Sequence, residues 1–81
     1  MPNFIYVNGN YFPKEEASIS VNDRAYQFGD SVYEVVIYRK KIFFDYDLHI
    51  QRLRKSLKSL DINLKISDKS LFIIIKNLLK K

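Results

Sequence analysis

Residues Ser31 to Tyr38 alternate strictly: Tyr33, Val35 and Ile37 on one side, Val32, Glu34, Val36 and Tyr38 on the other, and both sets are largely apolar. Successive side chains of a strand point to opposite faces, so this stretch predicts a β-strand covered on both sides. The demand is severe in a chain of 81 residues, near the size at which one hydrophobic core becomes marginal. It predicts a single α+β domain over residues 1–81, a small antiparallel sheet of hairpins packed with two helices.

The remaining elements follow from local chemistry. Phe4-Ile5-Tyr6-Val7 and Tyr11-Phe12 flank Asn8-Gly9, a pair that tolerates positive φ and so predicts a tight hairpin. Pro13 closes the second strand because it has no N–H for a ladder. Ser18 to Val21 alternates like a short half-buried strand, and Asn22-Asp23 supplies a turn. Arg39-Lys40-Lys41 turns the long strand into an antiparallel partner at Ile42-Phe43-Phe44. Asp45 or Asp47 can cap a helix reaching about Leu60, with Tyr46, Ile50, Leu53, Leu57 and Leu60 in one apolar stripe. Ser67 can cap a second helix from Asp68 towards Leu79. Its run Leu71-Phe72-Ile73-Ile74-Ile75 wraps more than one face, which points to burial against further polypeptide.

Composition excludes several function classes. A hydrophobic content of 47% with two Gly and two Pro argues against disorder and long linkers. The absence of Cys removes disulfides and thiolate metal sites, and a single His with no carboxylate cluster argues against any metal. The longest apolar run is far too short to span a bilayer, and no signal peptide is visible, so a soluble cytoplasmic protein is the expectation. Residues 1–38 carry two basic and five acidic side chains, and residues 39–81 carry twelve and four, −3 against +8. A polyanion-binding surface is one reading of that asymmetry. A solvated lysine-rich helical face is the better one, because no Arg-dense or RNP-like motif accompanies it.

Few residues suggest chemistry by type alone. Arg52 offers a planar fork that suits phosphate but could equally be a solvated helix arginine. Tyr33 could orient a ligand or simply pack in the sheet. Glu34 reads as half of a structural salt bridge rather than a general base. His49 has no Ser, Cys or carboxylate constellation that spacing supports. Asp23, Arg24, Gly29 and Asp30 shape the turn before the long strand, with Asp23–Arg24 pairing as one arrangement.

The run Asp23-Arg24-Ala25-Tyr26-Gln27-Phe28-Gly29-Asp30-Ser31-Val32-Tyr33-Glu34-Val35-Val36, followed by His49-Ile50-Gln51-Arg52-Leu53, adds a second kind of information. The two motifs together resemble the start of a fold-type IV pyridoxal-phosphate aminotransferase, above all the D-amino-acid (D-alanine) type. The resemblance covers nearly the whole chain and implies a partial N-terminal small domain. It implies Arg52 at the cofactor phosphate, and Tyr33 and Val35 on the substrate side. Ser31 and Lys40-Lys41 depart from the family's usual glycines. The covalent lysine, the carboxylate facing the pyridine nitrogen and an Arg-x-His substrate element would lie beyond Lys81. None of the ten lysines present has the required context.

The resemblance therefore implies a truncated N-terminal part without a catalytic residue, inactive and not binding pyridoxal phosphate alone. Other readings are half of a split aminotransferase completed by a second chain, or a repurposed basic interaction module. The expected partner is a second copy, as in a family of dimers, or a complementing C-terminal chain; membrane and nucleic acid are not expected. Branched-chain aminotransferase and aminodeoxychorismate lyase remain alternative ancestries.

Overall fold

A computed structural model describes residues 3–81. The chain is α+β, and its residues group into two compact units: the segment up to Asp23 with Ile66–Lys81, and Arg24–Lys65.

The first unit begins with strands β1 (Phe4–Val7) and β2 (Asn10–Pro13), paired antiparallel with Val7 opposite Asn10 and Phe4 opposite Pro13. Asn8 and Gly9 both take positive φ, 47° and 94°, the backbone that joins strands without fighting their twist. Tyr6 and Tyr11 face each other across the ladder with rings edge to face, 5.1 Å between centroids. A short 3-10 turn, Lys14–Glu16, follows. Residues 18–21, expected as a strand, join no ladder. The Ser20 hydroxyl accepts from the Asn22 N–H at 3.0 Å and the Ser20 carbonyl from the Asp23 N–H at 3.1 Å, so local bonds turn the chain instead.

The second predicted helix, labelled α3 in chain order, spans Asp68–Leu79. Ser67 caps it as expected, its oxygen accepting from the Ser70 N–H at 3.1 Å. The helix packs on β1, and the Tyr11 hydroxyl donates to the Ile74 carbonyl at 3.3 Å. Lys81 holds its ammonium over the Tyr11 and Phe4 rings, 4.9 and 5.5 Å from their centroids. Leu71, Phe72, Ile74, Ile75 and Leu78 are half-buried while Ile73 and Leu79 are exposed.

The second unit opens with a helix that sequence reasoning read as a turn, α1 (Arg24–Phe28). Gly29 ends it with φ at 73°, the left-handed stop that glycine adopts without strain. The Ser31–Tyr38 expectation is corrected. Only Tyr38–Arg39 forms strand β3, paired with β4 (Ile42–Phe43), one residue shorter than the expected 42–44. The reason is the length of the partner: β4 yields to a helix after two turn residues, so it can ladder only the end of the long segment. The Phe44 N–H still reaches the Ile37 carbonyl at 2.9 Å. Period-two alternation survives along residues 31–37, but one face is open: Tyr33, Val35 and Ile37 are 84%, 69% and 58% exposed.

Helix α2 (Tyr46–Ser59) carries the core of this unit, Ile50 and Leu57, each 8% exposed. Tyr46 and Leu53 are half-buried on the same stripe, and Tyr46 stacks on Phe43 with centroids 5.3 Å apart. Two expectations change at its ends. Asp45 occupies the N-cap position with φ at 55°, and its side chain makes no capping bond. Leu60 is exposed because the chain has already left the helix: the Ile62 N–H bonds the Leu57 carbonyl, and the Asp61 N–H the Lys58 carbonyl. That double closure around Asp61, at φ 56°, ends the helix as a left-handed cap normally does with glycine.

Candidate functional site

The second unit brings a strand-like segment against one face of α2. Residues three apart on a helix lie side by side, so His49 and Arg52 present their side chains together. Glu34 meets both. Arg52 donates from Nε to Glu34 Oε2 and from Nη2 to Oε1, each at 2.7 Å. His49 Nδ1 lies 2.7 Å from the same Oε1. A carboxylate so placed can only accept, so Nδ1 carries the hydrogen and donates it. The 3.3 Å approach of Arg52 Nη2 to His49 Nδ1 is then a meeting of two donors rather than a bond.

Three hydrogen bonds on one carboxylate have a large electrostatic effect. The Arg52 fork, with His49 adding to it, pulls the Glu34 carboxyl from 4.5 down to about 2, against the opposing effect of desolvation. Glu34 in turn holds the Arg52 guanidinium charged. Burial is graded across the group: the side chains are 10% exposed at Glu34, 20% at His49 and 65% at Arg52. Glu34 is therefore a fixed anion, too weak a base to take a proton from a substrate near neutrality.

Beside this triad lies an open cleft of about 340 Å³ lined by Tyr33, Glu34, Val35, Arg52 and Ser56. The three residues singled out from the sequence as binding groups, Arg52, Tyr33 and Val35, thus share one concavity. No lysine lines it. Two of the three guanidinium nitrogens of Arg52 are engaged by Glu34, which leaves Nη1 as its uncommitted donor among the described residues. A second hollow of about 160 Å³, bounded by Asp45, Leu48, His49 and Arg52, puts Arg52 between two concavities. A larger one of about 370 Å³ sits at the α2 C-terminus among Arg54, Leu57, Lys58, Asp61, Ile62, Asn63 and Leu64. Its lining holds no Ser, Thr, Cys or His side chain.

Glu34 is a salt-bridge residue, as its side of the segment suggested, and His49 is its architectural partner. At the turn, Arg24 Nε donates to Asp30 Oδ2 at 2.7 Å, tying the two ends of α1 together. What sequence reasoning missed is that Glu34, His49 and Arg52 form one group. The i, i+3 spacing in the helix signalled two of them, but a contact spanning 15 to 18 residues has no periodic signature. No group of three or more His, Cys, Asp or Glu side chains that could hold a metal occurs among the described residues. No helix among them is long and apolar enough to cross a membrane.

Compared with known proteins, this α+β chain is similar to aminotransferases. In particular, it is 40% identical over 67 residues to the D-alanine aminotransferase of Bacillus licheniformis, covering 83% of this chain and 24% of that protein. It is 38% identical over 74 residues to that of Listeria monocytogenes serotype 4b, covering 91% of this chain and 26% of the relative. The Staphylococcus epidermidis D-alanine aminotransferase is 29% identical over 77 residues, 95% of this chain and 27% of its own length. The chain is thus a relative of the D-alanine aminotransferases over most of its own length, and it spans about a quarter of theirs. No family model and no solved structure matches it.

Proposed function

We propose that this chain is the N-terminal part of the small domain of a D-amino-acid aminotransferase that uses pyridoxal phosphate, located in the cytoplasm. Arg52 is the phosphate-side cation in this reading, and Tyr33 and Val35 form the substrate-side wall. The observation that supports it is the single cleft shared by those three residues, together with the D-alanine aminotransferase relatives. Glu34 and His49 then act as positioning residues, holding the Arg52 fork in one orientation.

By itself the 81-residue polypeptide is not expected to bind the cofactor or turn over substrate. The cleft as it stands does not fit pyridoxal phosphate. It offers one guanidinium already paired with an ionised carboxylate, and no lysine lines it. A charge-assisted hydrogen bond contributes about 1.5–3 kcal/mol, whereas even millimolar affinity needs about 4 kcal/mol. Activity therefore requires further polypeptide that supplies a covalent lysine and the carboxylate facing the pyridine nitrogen. A second copy of this chain would supply neither.

The test is spectroscopic and catalytic. The purified polypeptide mixed with pyridoxal phosphate should leave the cofactor's visible spectrum unchanged and should not convert D-alanine to pyruvate. Co-expression with a polypeptide equivalent to the remaining three-quarters of a D-alanine aminotransferase should restore both signals. Arg52→Ala in that pair should raise the cofactor concentration needed for half-activity. Restoration that is indifferent to Arg52 would refute the assigned role, and turnover by the single chain would refute the inactivity.

A further inference from the structure

The chain leaves α2 by turning back against it. The Asp61 N–H donates to the Lys58 carbonyl and the Ile62 N–H to the Leu57 carbonyl, with Asp61 left-handed at φ 56°. Arg54 Nη1 donates to the Leu64 carbonyl at 3.4 Å, which ties the returning loop to the helix. The hollow between helix and loop measures about 370 Å³, within the range of small-molecule sites, roughly 300–1,000 Å³. None of the residues assigned to cofactor or substrate lines it.

Its lining combines two kinds of chemistry. Leu57, Ile62 and Leu64 supply aliphatic surface: Leu57 is buried, Ile62 half-buried and Leu64 exposed. Arg54 and Lys58 stand four apart on α2 and therefore share a face. The Lys58 ammonium has no hydrogen bond or ion pair among the described residues. Asn63 adds an amide, and Asp61 is the one acid of the lining. Basic side chains near a helix C-terminus are favoured by its dipole, which accounts for the cations. It does not account for uncovered aliphatic surface in the same hollow.

We propose that this hollow binds a small aliphatic monocarboxylate. The carboxylate is held by Lys58 and Arg54, and the alkyl chain lies along Leu57, Ile62 and Leu64. One negative charge matches the single positive excess of two cations over Asp61. Inorganic phosphate gains nothing from the aliphatic lining and is repelled more strongly by Asp61. Each methylene fully withdrawn from water tightens binding about fourfold, so tail and head contribute together. The inference is independent of the aminotransferase reading, since no residue of that cleft takes part.

The isotope-labelled chain, titrated with sodium hexanoate at low ionic strength, tests this by NMR. The methyl signals of Leu57, Ile62 and Leu64 should shift saturably, with half-saturation at about millimolar concentration. Butanoate should bind about five- to tenfold more weakly, and hexanol about fivefold more weakly. Inorganic phosphate should displace hexanoate no better than sodium chloride of equal ionic strength. Lys58→Gln should weaken hexanoate about fivefold. Asp61→Asn removes the opposing charge and suits the left-handed backbone, so it should tighten hexanoate about two- to fivefold. Unmoved methyl signals at tens of millimolar hexanoate would overturn the proposal. So would an affinity indifferent to chain length, phosphate competing as well as hexanoate, or weaker binding in a folded Asp61→Asn variant.

Discussion

Arg52 holds Glu34 in a two-pronged grip, Nε to Oε2 and Nη2 to Oε1, both 2.7 Å, across 18 residues of sequence. The pair ties the extended segment to α2 at the point where Tyr33 and Val35 flank the cleft. Its geometry matters more than its charge. A guanidinium presents two parallel N–H groups to a carboxylate, and an ammonium cannot reproduce that match. With His49 donating to the same oxygen, the carboxylate loses most of its freedom to rotate.

The acid limb of stability should reveal this group. Glu34 titrates at about 2 in the folded chain against 4.5 ordinarily. A depressed folded value means its stabilisation is present above the unfolded value and is lost as pH falls from about 4.5 towards 2. Thermal melts of Glu34→Gln should lie below the unmodified chain at neutral pH and converge with it near pH 2. NMR titration of the Glu34 carboxyl in Arg52→Lys should move its midpoint up towards the ordinary carboxylate range.

Leu57 is, with Ile50, one of the two buried hydrophobic residues among the described residues. Leu57→Ala should cost about 2–5 kcal/mol, a large share of the net stability of any small domain. Urea denaturation followed by far-ultraviolet circular dichroism measures it. Leu57→Met should remain within about 1.5 kcal/mol of the parent.

The first hairpin depends on backbone handedness. Gly9 has φ at 94° with open space around it, so a side chain there meets no neighbour but strains the backbone. Gly9→Val should destabilise by about 1–2 kcal/mol, read as a shift in denaturation midpoint. Asn8→Gly should fall within a few tenths of a kcal/mol.

Ser67 accepts from the Ser70 N–H at the start of α3. Ser67→Ala should cost about 1 kcal/mol and Ser67→Asp should retain most of the cap. Amide hydrogen exchange at Ser70 would show the loss directly, as faster exchange in the alanine variant.

The β3–β4 turn shows how much tertiary context can override local preference. Lys40 and Lys41 sit at φ 53° and 64°, where glycine or asparagine would be at ease. The sequence announced a departure at these positions but not that the backbone would keep the left-handed turn regardless. Asp61 at the end of α2 is a similar case, a left-handed cap without glycine.

The sequence by itself determined the elements whose cause is local. These are the Asn8-Gly9 hairpin, the apolar stripe of α2 through Ile50, Leu53 and Leu57, and the Ser67 cap of α3, each specified by residues within a turn or two of one another. The resemblance of its motifs to type IV aminotransferases also singled out Arg52, Tyr33 and Val35, which line one cleft. Only the tertiary structure decided the strand content of residues 31–37, because a ladder belongs to two segments and β4 is too short to provide the second. It alone decided that Glu34 would close on both His49 and Arg52. That contact depends on how the extended segment meets α2, and no local pattern of residues encodes the meeting.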